Sequence, residues 1–193
     1  MPLVQLVEGS SASAVDVEMV ESGRKQYGKL LNTWKAILNK PGLFATYLPF
    51  LRKVAGPGVL DQQIKDLSAL LVGHLNNCPY TVSHRVSAAI KNGATTVQVK
   101  KLVSRNWDGF EPRLVLALKF TEELTLNPTV TSFRSSHSSI RPETLSEIRH
   151  LFSDEEIVEL AMSVSIWNGL SRFHRVMEFE LDMPKPPKGL EPK

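Results

Sequence analysis

The sequence has little of what several large classes of protein require. A single cysteine in 193 residues excludes an internal disulfide framework, which fits a reducing compartment and makes the cytoplasm the expected location. No apolar run approaches the roughly 18 residues of a membrane span, and the N-terminus lacks the pattern of a secretory signal. The net charge is only +3, and no basic run interleaved with aromatic residues indicates a nucleic-acid surface. With 42% hydrophobic and 22% charged residues, the chain is expected to form one soluble globular domain that binds neither membranes nor nucleic acid.

Strand patterns are also missing, whereas apolar residues recur at helical spacing along most of the chain. No alternating run of any length appears, and no Asn-Gly hairpin joins two β-branched runs. Apolar residues three and four apart predict one helix from Glu21 to Asn39, and Ser153 followed by Glu156 is a capping-box signal for the longest helix. The sequence therefore predicts an all-α bundle of seven to nine helices. Wide apolar faces on several helices fit either a homo-oligomer or close packing inside one bundle.

Composition shifts at the two ends set the expected domain limits. Residues 1–20 carry a Gly-Ser-Ser cluster without sustained periodicity and are predicted to be a flexible arm. Residues 21–182 form the helical domain, and residues 183–193, rich in Pro and Lys, are predicted to be a tail outside the core. The polar segment around His137 is expected to be a surface loop that could cover a pocket.

The only cysteine lies in the stretch NNCPYTVSH, residues 76–84, and has two possible explanations. Proline is favoured at the first position of a helix, so Pro79 places Cys78 at or near an N-cap. Unpaired backbone N–H groups and the helix dipole lower the pKa of a thiol there and favour the thiolate. Free cysteine is, however, also among the residues most often simply buried. The sequence alone leaves both explanations open.

Helical geometry determines which polar side chains share a face with Cys78. At about 100° per residue, Thr81 and Arg85 lie within roughly 60° and 20° of it, while His84 lies about 120° away. Arg85 suits a carboxylate ligand, although a solvated surface arginine is the ordinary alternative. Asp66, on the preceding helix, would come near this face only if it points inward.

The histidines do not form a metal-binding pattern. His74, Cys78 and His84 lack the HxxxH and CxxC spacings, so no metal site is expected. His174 lies among apolar residues of the last helix, where a half-buried histidine with satisfied hydrogen bonds is the ordinary expectation; it is also a secondary pocket candidate.

Taken together, these residues resemble the carboxymuconolactone decarboxylase and alkylhydroperoxidase D-like family. The matching stretch is DLSALLVGHLNNCPYTVSHRVSAAIKNGAT, with an acidic residue twelve before the cysteine, then Asn, Cys-Pro-Tyr, a nearby His and a closing Asn-Gly. The segment AILNKPGLFATYLPFL resembles the family's upstream helices. The C-terminal FSDEEIVELAMSVSIWNGLSRFHRVM resembles a segment with Asn and Arg four residues apart, here Asn168 and Arg172. The resemblance covers roughly residues 25 to 182.

The resemblance implies an all-α fold assembled as a dimer, trimer or hexamer, with no cofactor. Peroxidase members of the family use a Cys-x-x-Cys pair with an acid and a histidine as a proton relay, and by position Asp66, Cys78 and His84 correspond to that relay. The departures are informative. Thr81 replaces the attacking cysteine and cannot form a sulfenic acid, Arg85 occupies the usual histidine position, and the acid is Asp where Glu is usual.

Three hypotheses follow for the function. The first is a decarboxylase-like lyase or isomerase acting on a small, acidic, lactone-like substrate, with catalytic residues Asp66, Cys78 and His84. In it His84 is the acid or base, Asp66 orients or relays, and Arg85 pairs with the substrate carboxylate. The candidate substrate-binding residues are Tyr80, Thr81, Arg85 and His174. The second is a one-cysteine hydroperoxide reductase that is regenerated by an external thiol, and the third is a non-catalytic oligomeric protein.

Overall fold

Nine α-helices form the part of the chain that the computed structural model describes, residues 1–127 and 138–191. Two short 3-10 turns, Gly9–Ser11 and Ala14–Asp16, precede them, and no strand occurs in these ranges. The all-α prediction is confirmed. The helices are α1 (Val17–Tyr27), α2 (Asn32–Ile37), α3 (Leu43–Ala55), α4 (Gln62–Leu75), α5 (Pro79–Lys91), α6 (Thr96–Val103), α7 (Pro112–Leu126), α8 (Pro142–Leu151) and α9 (Asp154–Met177).

Helix α4 lies at the centre of the bundle. Every residue from 64 to 73 is buried, and the helix contacts α5, α7 and α9. Its approach to α5 is close, because a Cβ on Gly73 would lie 3.0 Å from the Cγ2 atom of Thr81. Glycine at this position therefore brings the start of α5, which carries Cys78, directly against the central helix.

The single helix predicted from Glu21 to Asn39 is divided in two. Gly28 adopts a left-handed conformation with φ 72°, which costs little for a residue without a Cβ, and ends α1. Leu31 then adopts an extended conformation, with φ −77° and ψ 150°, and α2 begins after it. The three- and four-residue spacing of apolar residues continues from α1 into α2, although the two helices are separate.

The N-terminal segment is packed against the bundle, in contrast to the predicted flexible arm. The backbone amide of Leu3 donates to the carbonyl of Met177 at 3.1 Å. The carboxylate of Asp16 is completely buried and accepts hydrogen bonds from the amides of Gly42 (2.8 Å) and Ala45 (2.9 Å). Asp16 therefore satisfies the free N–H groups at the start of α3, where α3 has no capping side chain of its own.

The C-terminal segment also differs from the prediction of a tail outside the core. Leu190 is fully buried and joins the main apolar core, and Pro186 is buried as well. Burying one leucine side chain contributes roughly 2 kcal/mol, which offsets part of the cost of ordering the Pro/Lys-rich residues around it.

One sequence expectation concerns residues that lie mostly outside the described ranges, and another concerns the helices within them. The predicted polar loop around His137 lies mostly outside them, since residues 128–137 are not described. Among the described helices, none has the length and hydropathy needed to cross a lipid bilayer.

Candidate functional site

Cys78 is the N-cap residue of α5, as Pro79 predicted. Its Sγ atom accepts a hydrogen bond from the backbone amide of Thr81 at 3.5 Å and one from the Thr81 hydroxyl at 3.2 Å. The residue is only 1% exposed. The sulfur is thus held by two donors at a helix N-terminus.

A chain of buried hydrogen bonds leads from this sulfur to α2. The Thr81 hydroxyl also lies 2.9 Å from Nδ1 of His174, and Nε2 of His174 lies 3.0 Å from the hydroxyl of Thr33. Burial lowers the pKa of His174 to about 3, so the ring is neutral and donates from one nitrogen only. Because Thr81 gives its proton to Cys78, Nδ1 of His174 donates to Thr81 and Nε2 accepts from Thr33. All donors in this chain therefore point towards the sulfur.

A second buried network holds His84, and its acid is Asp182. Nε2 of His84 lies 2.6 Å from one carboxylate oxygen of Asp182, and the hydroxyl of Tyr80 donates to the other at 2.7 Å. The backbone amide of Asn32 adds a third hydrogen bond to this carboxylate at 2.6 Å. The imidazole also stacks on Tyr80, with ring centroids 4.5 Å apart.

The protonation states of this pair follow from burial and hydrogen bonding. Burial lowers the pKa of His84, although the hydrogen bond to Asp182 partly offsets it, so the ring is neutral at pH 7. Burial alone would raise the pKa of Asp182, but hydrogen bonds from His84, Asn32 and Tyr80 outweigh it and lower the pKa. A carboxylate can only accept, so Nε2 of His84 carries the proton. Among the described residues, Nδ1 has no hydrogen-bond partner, which leaves it free to act as a base.

Asp66 is not the partner of His84 or Cys78, contrary to the predicted relay. One of its carboxylate oxygens accepts a hydrogen bond from Asn92 at 2.6 Å, and the other lies 3.7 Å from Nη1 of Arg85. The physical reason is helical register, which places Asp66 beside Arg85 and the end of α5, whereas His84 faces the C-terminal segment.

Arg85 is a largely buried cation with few partners. Its side chain is 12% exposed, and its guanidinium stacks on Trp167 at 4.3 Å from the ring centroid. Within residues 1–127 and 138–191 it makes no hydrogen bond, and its Nε atom is buried without a partner. A guanidinium has five donors, so this side chain retains most of its capacity to bind an anion.

Most of the predicted site residues line three cavities, and Cys78 lines a different cavity from His84 and Arg85. The largest, the main cavity of about 570 Å³, has a polar wall that includes Gln62, Asp66, His84, Arg85, Lys91 and Asn92. An inner cavity of about 50 Å³ shares His84 and Arg85 with it and reaches Tyr80 and His174. A third, about 210 Å³, adjoins Cys78, Tyr80 and His174. The cysteine and the His84–Arg85 pair therefore border different spaces.

Thr81 differs from its predicted role in substrate binding. Its side chain is fully buried and lines none of these three cavities. Its hydroxyl is used within the protein, between Cys78 and His174. Thr81 therefore positions other groups, whereas Tyr80, Arg85 and His174 do reach cavity walls.

Sequence reasoning missed Asp182 and Thr33. Asp182 is 98 residues from His84, in a segment after the last helix, and Thr33 is 141 residues from His174. No local spacing signals such pairs. Among the described residues, no group of three or more His, Cys, Asp or Glu side chains could hold a metal ion.

The fold is shared with several solved structures of low sequence identity. A peroxidase-related protein from Silicibacter sp. TM1040 has a TM-score of 0.76 and 16% identity, covering 99% of this chain and 95% of its own. A peroxidase-related protein from Ralstonia eutropha JMP134, described as an alkylhydroperoxidase AhpD core, has a TM-score of 0.76 and 14% identity over 100% and 98% of the two chains. The debrominase Bmp8, solved with 2,3,4-tribromopyrrole, has a TM-score of 0.73 and 17% identity over 94% of each chain. The predicted alkylhydroperoxidase D-like fold is confirmed.

Residues 41–123, from the start of α3 into α7, match the model of the carboxymuconolactone decarboxylase family. Over these residues the chain is similar to this family. The matched region of this carboxymuconolactone decarboxylase-like protein contains Asp66, Cys78, His84 and Arg85 but ends before His174 and Asp182. A curated relative, uncharacterized protein 4 in the cox locus of Paracoccus denitrificans, is 32% identical over 57 residues. That match covers 30% of this chain and about half of the relative, 51%.

The role of Asp182 in this carboxymuconolactone decarboxylase-like protein can be tested by titrating His84. We expect Asp182→Asn to lower the pKa of His84 further, because the amide keeps an acceptor oxygen but removes the negative charge that raises this pKa. The measurement is the pH titration of the His84 ring proton by NMR. Asp108→Asn, a change at an exposed residue between α6 and α7, is the control and should leave the midpoint in place. An unchanged midpoint in Asp182→Asn would show that the pair does not set the state of His84.

Proposed function

We propose that this protein catalyses proton transfer on a small carboxylated, lactone-like substrate, as a decarboxylase-like lyase or isomerase without disulfide cycling. The observation that carries the proposal is Arg85, a buried guanidinium without a hydrogen bond from the described residues, on the wall of the main cavity beside His84. The roles that we assign to the residues differ in part from the sequence prediction.

Arg85 is the anchor for the substrate carboxylate. A buried cation is costly unless it is paired and hydrogen-bonded, and among the described residues its ion-pair partner, Asp66, is 3.7 Å away. A bound carboxylate would supply the missing acceptors in a bidentate arrangement. Asp66 is itself held by Asn92, so its role is to orient Arg85 and limit its motion.

His84 is the general base. Its Nε2–H is fixed by Asp182, so Nδ1 holds the free lone pair that takes the proton from the substrate. The proton then resides on the imidazole, and the Asp182 carboxylate stabilises the imidazolium that forms. Protonated Nδ1 can return the proton to another atom of the substrate, which completes an isomerisation. In a decarboxylation, the C–COO⁻ bond breaks to release carbon dioxide and leaves its electron pair on carbon, and the proton that this carbon then takes up is supplied by water through Nδ1.

Gln62 indicates a second polar group on the substrate, in addition to its carboxylate. Its amide nitrogen donates to the carbonyl of Ala55 at 3.0 Å, which fixes the orientation of the amide, and its Oε1 atom is buried without a partner among the described residues. Because Gln62 is part of the same cavity wall as Arg85, a substrate with a hydroxyl group in addition to its carboxylate would satisfy both side chains.

A one-cysteine hydroperoxide reductase is the second candidate. The two hydrogen bonds to Cys78 Sγ and the adjoining 210 Å³ cavity favour it, as does the similarity of the fold to peroxidase-related proteins. Its 1% exposure and the absence of a second cysteine in the sequence argue against rapid thiol turnover.

The two candidates are separated by one panel of substrates and three variants. Small carboxylated lactones and their methyl esters are offered to the wild type, with turnover followed by ultraviolet absorbance and carbon dioxide release. We expect the acids to be preferred, Arg85→Met to lower kcat/KM for acids by about 100-fold with little effect on esters, and His84→Gln to abolish turnover. Cys78→Ser should keep the activity.

The opposite pattern of results would support the one-cysteine hydroperoxide reductase. Consumption of an alkyl hydroperoxide that requires Cys78 and survives Arg85→Met and His84→Gln would replace the proposal. A wild type that neither binds nor converts any member of the panel would also contradict it.

A further inference from the structure

The inner cavity is lined mainly by aromatic and aliphatic side chains, and it has no occupant in the proposed function. Several polar groups of its wall already have partners. The Tyr80 hydroxyl donates to Asp182, and the hydroxyl of Thr33 donates to His174. The hydroxyl of Tyr47, on α3, differs from them, because it forms no hydrogen bond with any of the described residues. This hydroxyl is therefore available to a ligand.

The Tyr47 hydroxyl is a donor close to the guanidinium of Arg85. Burial raises the pKa of Tyr47, so the group stays protonated, and the positive charge of Arg85 offsets part of this rise. Both side chains line the inner cavity, which has no acidic side chain from the described residues in its wall. A hydroxyl donor and a cation without a close counter-ion thus face one small space, which favours an anion there.

The size of the inner cavity limits this anion to a small group. A single water molecule needs roughly 10–15 Å³, so the volume of about 50 Å³ has room for about three or four heavy atoms. A carboxylate group fits this space. The aromatic walls lower the local polarity, which strengthens the hydrogen bonds to a bound anion.

We propose that the inner cavity is the carboxylate subsite and that the hydroxyl of Tyr47 donates a hydrogen bond to the carboxylate that Arg85 binds. This assignment rests on the proposed function and narrows its substrate class. His84 and Arg85 line both the inner and the main cavity, so they mark the junction between the two. The carbon that carries the carboxylate then lies at this junction beside His84, and the rest of the substrate occupies the main cavity. The substrate is an acid whose carboxylate is attached directly to the reacting part of the molecule.

Tyr27 provides a matched comparison for Tyr47. It also lines both cavities, but it is 38% exposed, so water competes for its hydroxyl. Its ring packs edge-on against Trp34, with centroids 5.4 Å apart. Tyr27 shapes the wall of the subsite, whereas the hydroxyl of Tyr47 contacts the carboxylate.

Equilibrium binding of furan-2-carboxylate, a small ring acid, tests the subsite without requiring turnover. Trp34 and Trp167 line the inner cavity, so tryptophan fluorescence follows the binding, with isothermal titration calorimetry as a second measurement. Methyl furan-2-carboxylate, which lacks the charge, is the matched ligand. We expect Tyr47→Phe to raise the Kd of the acid about tenfold and that of the ester less than about twofold. Tyr27→Phe should change either Kd by less than about twofold.

The folding of the variant is measured alongside its binding. Tyr47→Phe removes a hydroxyl that has no hydrogen-bond partner among the described residues, so we expect urea unfolding to be unchanged. A loss of affinity with unchanged unfolding is then a loss of the contact itself.

Several results would overturn the subsite. They are a wild type that binds the ester as tightly as the acid, a wild type that binds neither ligand, a Kd for the acid that Tyr47→Phe leaves in place, or a larger loss in Tyr27→Phe. Failure of the proposed function gives a different result. A wild type that binds the acid through Tyr47 and converts no member of the substrate panel keeps the carboxylate subsite and loses only the proton transfer.

Discussion

Lowering the pH from 7 to 5 should reduce the free energy of unfolding by about 4 kcal/mol, through two histidines that stay neutral in the folded protein. Burial lowers the pKa of His174 to about 3 and that of His74, in the last turn of α4, to about 4. In the unfolded chain both titrate near 6.5, so at pH 5 each takes up a proton only on unfolding, which favours the unfolded state by about 2 kcal/mol per histidine.

The direction of the effect and its pH window follow from these values. A depressed pKa in the folded state gives stability that is complete above pH 6.5 and is lost as the pH falls towards the folded value. His84, whose pKa is also lowered by burial, acts in the same direction. The buried carboxylates Asp16 and Asp182, whose pKa values lie below the ordinary range, lose stability only at lower pH and do not contribute between 7 and 5.

Urea unfolding at pH 7 and pH 5 measures this difference. His74→Leu should remove about half of it and should cost little stability at pH 7, because the buried Nε2 of His74 has no hydrogen-bond partner among the described residues. His150→Gln, at an exposed position in α8, is the matched control and should keep the full difference. Equal free energies at the two pH values would contradict the neutral state of the buried rings.

Glu159→Gln should destabilise the protein by about 3–5 kcal/mol, because it leaves the buried charge of Lys65 without a counter-ion. Lys65 is 1% exposed, and its ammonium donates to Glu159 at 3.0 Å and to the carbonyl of Gly56. Glu159 also accepts from the amides of Val59 and Leu60, each at 3.1 Å, so this one carboxylate ties the connection between α3 and α4 to α9.

Replacing Lys65 in place of Glu159 should destabilise the protein less. Lys65→Met takes the buried charge away with the side chain, and Glu159, which is 20% exposed, keeps its two amide donors. We expect a loss of less than about 2 kcal/mol for Lys65→Met, and nearly the same for the double variant. Urea unfolding at pH 7 measures all three. Equal losses for the two single changes would show that the charge of Lys65 is not what makes the pair important.

The features that the sequence predicted correctly are those encoded by neighbours along the chain. Pro79 placed Cys78 at the N-cap of α5, and Ser153 with Glu156 forms the capping box at the start of α9. The all-α class of the described ranges follows from apolar spacing, but this spacing did not predict α6, and Gly28 interrupts a pattern that continues across it.

The features that the sequence did not reveal depend on distant contacts. Asp16 caps α3 by accepting a hydrogen bond from the amide of Gly42, 26 residues later in the chain, and composition alone therefore made the N-terminal segment look unstructured. Asp66 was chosen as the acid by its position in the family pattern, whereas His84 pairs with Asp182 across 98 residues. Only packing decides which carboxylate reaches the ring.

The position of Asp182 separates the activity of the site from the stability of the bundle. Asp182 lies outside every helix, in the segment after α9, and is held by Lys29, by Asn32 and by its contacts with Tyr80 and His84. Proteins open locally, in segments with few backbone hydrogen bonds, at a lower free energy than global unfolding. An opening of this segment alone would release His84 from its carboxylate while the helices remain folded. Hydrogen exchange at the Asn32 amide therefore reports how often the site is assembled.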